Sequence, residues 1–197
     1  MHRKLLAIPL ALAVSACAQV PSLTSTVRVP DEIKGAASES LAMIVAAKGV
    51  QIYECRAIKS TGTTEWVFVA PEADLFDKSG KKVGSHYAGP RWESSDGSTI
   101  AGALKERIDA PQADAIPWLL LTANSVGPDG SFSRVTSIQR VNTVGGAAPK
   151  TGCSPASVGQ VARVPYTADY YFLAASAHSA SPNAARVYVP KGSAYAY

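Results

Sequence analysis

Histidine, cysteine and charge are all scarce in this sequence. Its 197 residues include three histidines and three cysteines, and only 17% of them are charged. Beyond the first few residues the histidines are His86 and His178, so a histidine-based zinc site would need His86 with carboxylates alone, and no metal is expected. There is no Gly-x-Ser-x-Gly elbow, no His-Glu-x-x-His and no Gly-Lys-Ser/Thr phosphate loop. The usual serine-hydrolase, metalloprotease and nucleotide-binding frameworks are therefore missing. No Gly-x-Gly-x-x-Gly stands between a strand and a helix, which excludes a dinucleotide-dependent dehydrogenase, and no cofactor is expected. Lys and Arg, 19 against 15 Asp and Glu, form no cluster interleaved with aromatics, so nucleic acid is not an expected partner.

Long apolar runs are also missing. The one extended run, residues 5–18, contains Pro9 and is shorter than the roughly 20 residues a membrane-spanning helix needs. Its basic start (His2, Arg3, Lys4), apolar middle and small-residue end read as an export signal over residues 1–16. Val14-Ser15-Ala16-Cys17 resembles a bacterial lipobox, which predicts a lipid on Cys17 as the membrane partner. Ala18 after that cysteine favours outer-membrane delivery, with a periplasmic position as the other envelope outcome. The alternative is secretion after cleavage at Ala18. Loss of the signal removes Arg3 and Lys4 and no acidic residue, so half of the formal net charge of +4 belongs to the address and not to the mature protein.

Export makes disulfides favourable, and Cys55 and Cys153 are the cysteines left to pair. Their bridge would close a loop of roughly 100 residues, for which chain entropy gives about 4–5 kcal/mol. Two buried free thiols are the alternative.

At 47% hydrophobic the chain can bury a core, and its length is that of one domain with a tail. The patterning is mostly that of strands. Residues 41–47 read as a short helix or a strand, and Lys48-Gly49 followed by the alternating Val50–Cys55 predicts a hairpin. Further strands are expected at 64–69, 73–76, 82–87, 98–104, 118–123, 133–141 and 166–174. Turn chemistry separates several of them, at Lys78-Ser-Gly-Lys81, Asp96-Gly97 and Gly127-Pro-Asp-Gly130. The expected fold is all-β, an antiparallel sandwich or barrel of about 8–10 short strands with long loops, over residues 31–175. A tether at 17–30 precedes it, and a loosely docked tail at 176–197, with a strand-like patch at Arg186–Val189, follows it.

Five ordered motifs carry a family resemblance: Gly49-Val-Gln-Ile-Tyr-Glu-Cys55, Gly84-Ser-His-Tyr-Ala-Gly-Pro-Arg-Trp92 with Asp96-Gly-Ser98, Ile116-Pro-Trp-Leu-Leu-Leu121, Ile138-Gln-Arg-Val-Asn-Thr143 with Gly145-Gly146, and Pro165-Tyr-Thr-Ala-Asp-Tyr-Tyr-Phe172. Together, from about Val29 to Leu173, they resemble the domain of unknown function 3455, a family of exported bacterial and fungal proteins. The resemblance implies no catalytic residues. A malate-dehydrogenase label borne by some fungal relatives is at odds with this sequence, which lacks the dinucleotide motif.

Residues 84–98 concentrate the candidate chemistry around a Gly89-Pro90 bend. Trp92 and Tyr87 could stack on a flat ligand, Arg91 could meet an anion, and His86 could serve as base or donor, with Asp96 close in sequence. The packing alternative makes Trp92 core, His86 a loop cap and Asp96-Gly97 a turn. In the strand 166–174, Tyr166 and Tyr170 would share one face, and Asp169 and Tyr171 the other. The expected ligand-binding set is His86, Tyr87, Arg91, Trp92, Asp96 and Asp169. The function expected is an exported, lipid-anchored envelope protein that binds a small molecule, saccharide or envelope component. Two rivals stand beside it: a hydrolase using His86 with Glu93 or Asp96, and a purely structural envelope protein.

Overall fold

The computed structural model describes residues 27–176. The signal at 1–16, Cys17, most of the tether, and the tail with its 186–189 patch lie outside them.

Eight antiparallel strands close into one barrel: β1 (Glu39–Ile58), β2 (Thr63–Phe76), β3 (Lys82–Tyr87), β4 (Arg91–Ser94), β5 (Thr99–Ile108), β6 (Trp118–Ser125), β7 (Val135–Gly145) and β8 (Val161–Ala175). Each strand pairs with the next in sequence, and β8 pairs with β1 to complete the ring. The barrel alternative of the sequence reading is the one adopted. Closure also removes the unpaired edges that a sandwich leaves.

Not all the strands are short: β1, β2 and β8 have 20, 14 and 15 residues. The expected hairpin at Lys48-Gly49 does not form, because β1 runs straight through it. Gly49 is there for close approach, since a Cβ would lie 2.1 Å from the Glu72 carbonyl oxygen on β2. Likewise the segments 64–69 and 73–76 are one strand, and Pro71 sits inside it. Proline is tolerated there because β3 pairs only with Ala73–Phe76, leaving the Pro71 edge without a ladder bond to make. β4, which is not among the strands expected from the sequence, has four residues and pairs with β3 and β5.

Alternation sorts side chains into an inner and an outer set. Along β8, Tyr166, Ala168, Tyr170 and Phe172 are buried in the main core with Val45, Ala47, Ala73, Leu75, Trp92, Ile100, Leu121 and Ile138. Small residues make room for large ones. At Gly102 a Cβ would stand 2.8 Å from Cζ3 of Trp92, so glycine is what lets the indole lie inside the barrel. The outer face of β6–β8 carries a second core of Trp118, Leu120, Val141 and Tyr171, covered by Ile33 together with Val27 and Val29. The Gln139 amide nitrogen fixes that cover by donating to the Ile33 carbonyl at 2.6 Å.

The two ends of the barrel differ. At one end Phe132, on the β6–β7 connection, packs edge-on against Phe172 with ring centroids 4.9 Å apart. The Phe132 amide donates to Ser98 Oγ at 3.0 Å, and Asp96 accepts from Ser98 and from the Ser131 amide and hydroxyl. At the other end β1 and β2 extend past the ring as a long hairpin. The Cys55–Cys153 disulfide ties the β7–β8 connection to it, and Trp66 Nε1 donates to the Thr151 carbonyl at 2.8 Å.

Candidate functional site

The cross-strand register of β3 and β4 places His86 opposite Trp92. Both point inward, and their rings stack with centroids 4.1 Å apart and planes 13° from parallel. Tyr170 meets each edge-on, at 5.2 Å from His86 and 5.4 Å from Trp92. Arg140 on β7 is paired with Tyr170 on one side and Leu119 on the other, so all three face the interior. Its guanidinium is oriented by the Pro117 carbonyl, to which Nε and Nη2 donate at 3.0 and 2.8 Å.

These residues, with Gln51 of β1, form the floor and wall of a cavity of about 470 Å³ at the end of the barrel where the long hairpin projects. Its mouth is apolar, with Phe68, Pro71, Pro90 and Leu104 among its lining. Phe68 and Leu104 are 49% and 61% exposed, and with Val69 they form an apolar rim to the cavity. An eight-stranded barrel has an interior wide enough either to be filled by its own side chains or to hold one small ligand. Here Phe132 packs into one end, beside a second cavity of about 410 Å³ lined by Val45, Val83 and Ser94, and the other end holds the cavity with the buried polar atoms.

Polar atoms inside are under-used. Trp92 Nε1 is buried without a hydrogen-bond partner, and Gln51 Nε2, Tyr166 OH and Tyr170 OH, also buried, approach one another and Arg140 without forming a bond of good geometry. A buried polar group left unpaired costs about 1–3 kcal/mol, so the three on lining residues, Gln51, Trp92 and Tyr170, call for an explanation. The Tyr166 and Tyr170 hydroxyls adjoin one another, and burial, the largest influence on each, raises their pKa while the charge of Arg140 lowers it. Burial likewise depresses His86 to about 3, opposed by its bond to the Arg91 carbonyl and assisted by Arg140. His86 is therefore neutral. Nδ1 lies 2.8 Å from the Arg91 carbonyl oxygen, which can only accept, so Nδ1 carries the proton and Nε2 keeps a lone pair.

The other residues expected at the site lie elsewhere. Tyr87, Arg91 and Glu93 are on the outer face, where the Tyr87 hydroxyl donates to Glu93 at 2.8 Å. Asp96 lies at the Phe132 end, and its four hydrogen bonds from Ser131 and Ser98 pull its pKa well down. Asp169 is also on the outer face, accepting from the Asn142 amide at 2.7 Å. The structure thus brings together His86 and Trp92 and separates them from Tyr87, Arg91, Asp96 and Asp169. The reason for Tyr87, Arg91 and Asp169 is strand parity, since neighbours in sequence leave a strand on opposite sides, whereas Asp96 sits in the turn between β4 and β5. The pairing of His86 with Glu93 or Asp96 required by a hydrolase is not made. Among the described residues no group of three or more His, Cys, Asp or Glu could hold a metal ion.

Arg140 and Gln51 were missed as site residues by the sequence reading. Their trace was present: in Ile138-Gln-Arg140, the arginine shares the parity of a core isoleucine, as Gln51 does that of Cys55.

Fold and site define a closed up-and-down barrel with Phe132 packed into one end and a partly polar cavity at the other. The chain belongs to the family described as Protein of unknown function (DUF3455), which it matches over residues 36–174. No curated protein and no solved structure matches it.

Proposed function

We propose that this protein is an exported envelope protein, lipid-anchored through Cys17, that holds one small apolar molecule with a polar head inside its barrel. The observation that carries the binding reading is the set of buried polar atoms without a well-formed hydrogen bond, Gln51 Nε2, Trp92 Nε1 and Tyr170 OH, on the lining of one cavity with an apolar mouth. A ligand whose head accepts hydrogen bonds would satisfy them, and its body would cover Phe68 and Leu104. A saccharide is less well matched, because it presents many hydroxyl donors and no carboxylate lines the cavity to receive them. Export and anchoring are supported by the basic start, the apolar run and Val14-Ser15-Ala16-Cys17.

The chain has three tryptophans, so Trp66→Phe and Trp118→Phe together leave Trp92 as the sole indole. Titration of that protein with a panel of small amphiphiles should change Trp92 emission saturably for at least one chemotype. Emission unmoved by every member would overturn the binding reading. Radiolabelled fatty acid should enter the wild-type protein in its host and not Cys17→Ser, and labelling of neither would remove the anchor.

A further inference from the structure

The cavity lining carries one formal charge, the Arg140 guanidinium, and no carboxylate. Among the described residues Arg140 makes no ion pair, whereas Lys34, Arg56, Lys82, Lys150 and Arg163 all do on the surface. Its Nε and Nη2 share the Pro117 carbonyl, and the neutral Tyr170 hydroxyl is within hydrogen-bonding reach of the same guanidinium. A carbonyl orients a guanidinium without neutralising it. An unneutralised cation at the edge of an apolar cavity is attractive to an anion far more strongly than the same cation in open water.

The neighbouring polar atoms are biased the same way. Trp92 Nε1 and Gln51 Nε2 can only donate, and the Tyr170 hydroxyl, which Arg140 and Tyr166 approach as donors, keeps its own proton to give. The His86 Nε2 lone pair and the amide oxygen of Gln51 are the side-chain acceptors that complete the lining. A donor-rich pocket with one fixed positive charge selects an oxyanion over an alcohol or an amine.

Resting on the binding reading above, we infer that the ligand is an amphiphile with an oxyanion head, of the carboxylate type. The Arg140 guanidinium and the Tyr170 hydroxyl grip the head, with Trp92 beside them. The hydrophobic body extends over Leu119 and Leu104 toward Phe68. Carboxylate and phosphate heads share this chemistry and differ in charge and bulk, so both belong in the test.

Calorimetric titration of the mature protein at neutral pH with matched probes decides the matter: decanoate, decyl phosphate and decanol, and 2-naphthoate with 2-naphthalenemethanol. Within a pair, the anion is expected to bind at least tenfold tighter than the alcohol. Arg140→Gln should erase that preference while leaving the alcohol within about twofold of its wild-type affinity. Tyr170→Phe, which removes only a hydroxyl, should weaken the anion several-fold and spare the alcohol, and it keeps the test open if Arg140→Gln fails to fold. Decyl phosphate binding more tightly than decanoate would replace the carboxylate assignment by a phosphate one. Anion and alcohol binding equally would overturn the oxyanion inference and leave the binding reading standing. No binding of any probe would overturn both.

Discussion

His86 and Trp92 are paired across the β3–β4 ladder and stack face to face inside the barrel, 4.1 Å between ring centroids. That stack puts an imidazole where water cannot hydrate it, and its pKa falls to about 3. Several expectations follow from this arrangement and from the two unlike ends of the barrel.

Acid should destabilise the protein through His86. The folded state holds the ring neutral, while the unfolded chain takes up a proton near the ordinary value of 6.5. The contribution is therefore complete above pH 6.5 and is lost progressively as pH falls toward 3. Roughly 2 kcal/mol should disappear between pH 7.5 and pH 5. Denaturant titrations at several pH values would show that slope in the wild type and its absence in His86→Phe. An equal slope in both would assign the acid sensitivity to other groups.

Gly102→Ala should be costly for a surface-strand substitution of one methyl. The new Cβ would lie 2.8 Å from Trp92 Cζ3, and the indole, packed against His86 and Tyr170, has no free volume to retreat into except the cavity. A loss of about 1–3 kcal/mol is expected, together with a changed near-ultraviolet circular dichroism from the displaced indole. An unchanged spectrum and stability would mean the strand backbone yields instead.

Ser98→Ala should loosen the Phe132 end. Ser98 is fully buried, and its hydroxyl accepts from the Phe132 amide and donates to Asp96. About 1–3 kcal/mol is expected to be lost, with faster amide exchange confined to residues 126–134. Exchange that quickens around the cavity with the buried polar atoms instead would contradict the separation of the barrel's two ends.

Removing the disulfide should be felt globally. Cys55→Ala with Cys153→Ala frees a loop of sequence separation 98, worth about 4–5 kcal/mol in the unfolded chain's entropy. Denaturant midpoints of the reduced wild type and the double variant should coincide below that of the oxidised protein. Coincidence of all three would show that the bridge adds no stability.

Much of the fold could be read from alternation and turn chemistry. The strands around Trp118, Ile138 and Tyr170, the turns at Ser79-Gly80 and Asp96-Gly97, and the pairing of Cys55 with Cys153 were all legible. Lys48-Gly49 and Pro71 misled because glycine and proline serve as turn residues and also mark close approach or an unpaired edge, and local sequence does not distinguish these uses. The site was half legible. His86 and Trp92 stand near one another in sequence and meet in space, but Arg140, Tyr166 and Gln51 reach them only through barrel closure, which depends on pairing between β8 and β1. Asp96 and Asp169 drew attention as carboxylates, yet parity and strand ends carry them away from the cavity.

Native mass spectrometry of the wild-type protein, purified gently from its own host, tests the central claim most directly. The account predicts a mass excess of one small molecule per chain that is released on denaturation, and its loss or marked reduction in Tyr170→Phe. A folded wild-type chain at its bare mass, with no small molecule released, would contradict it.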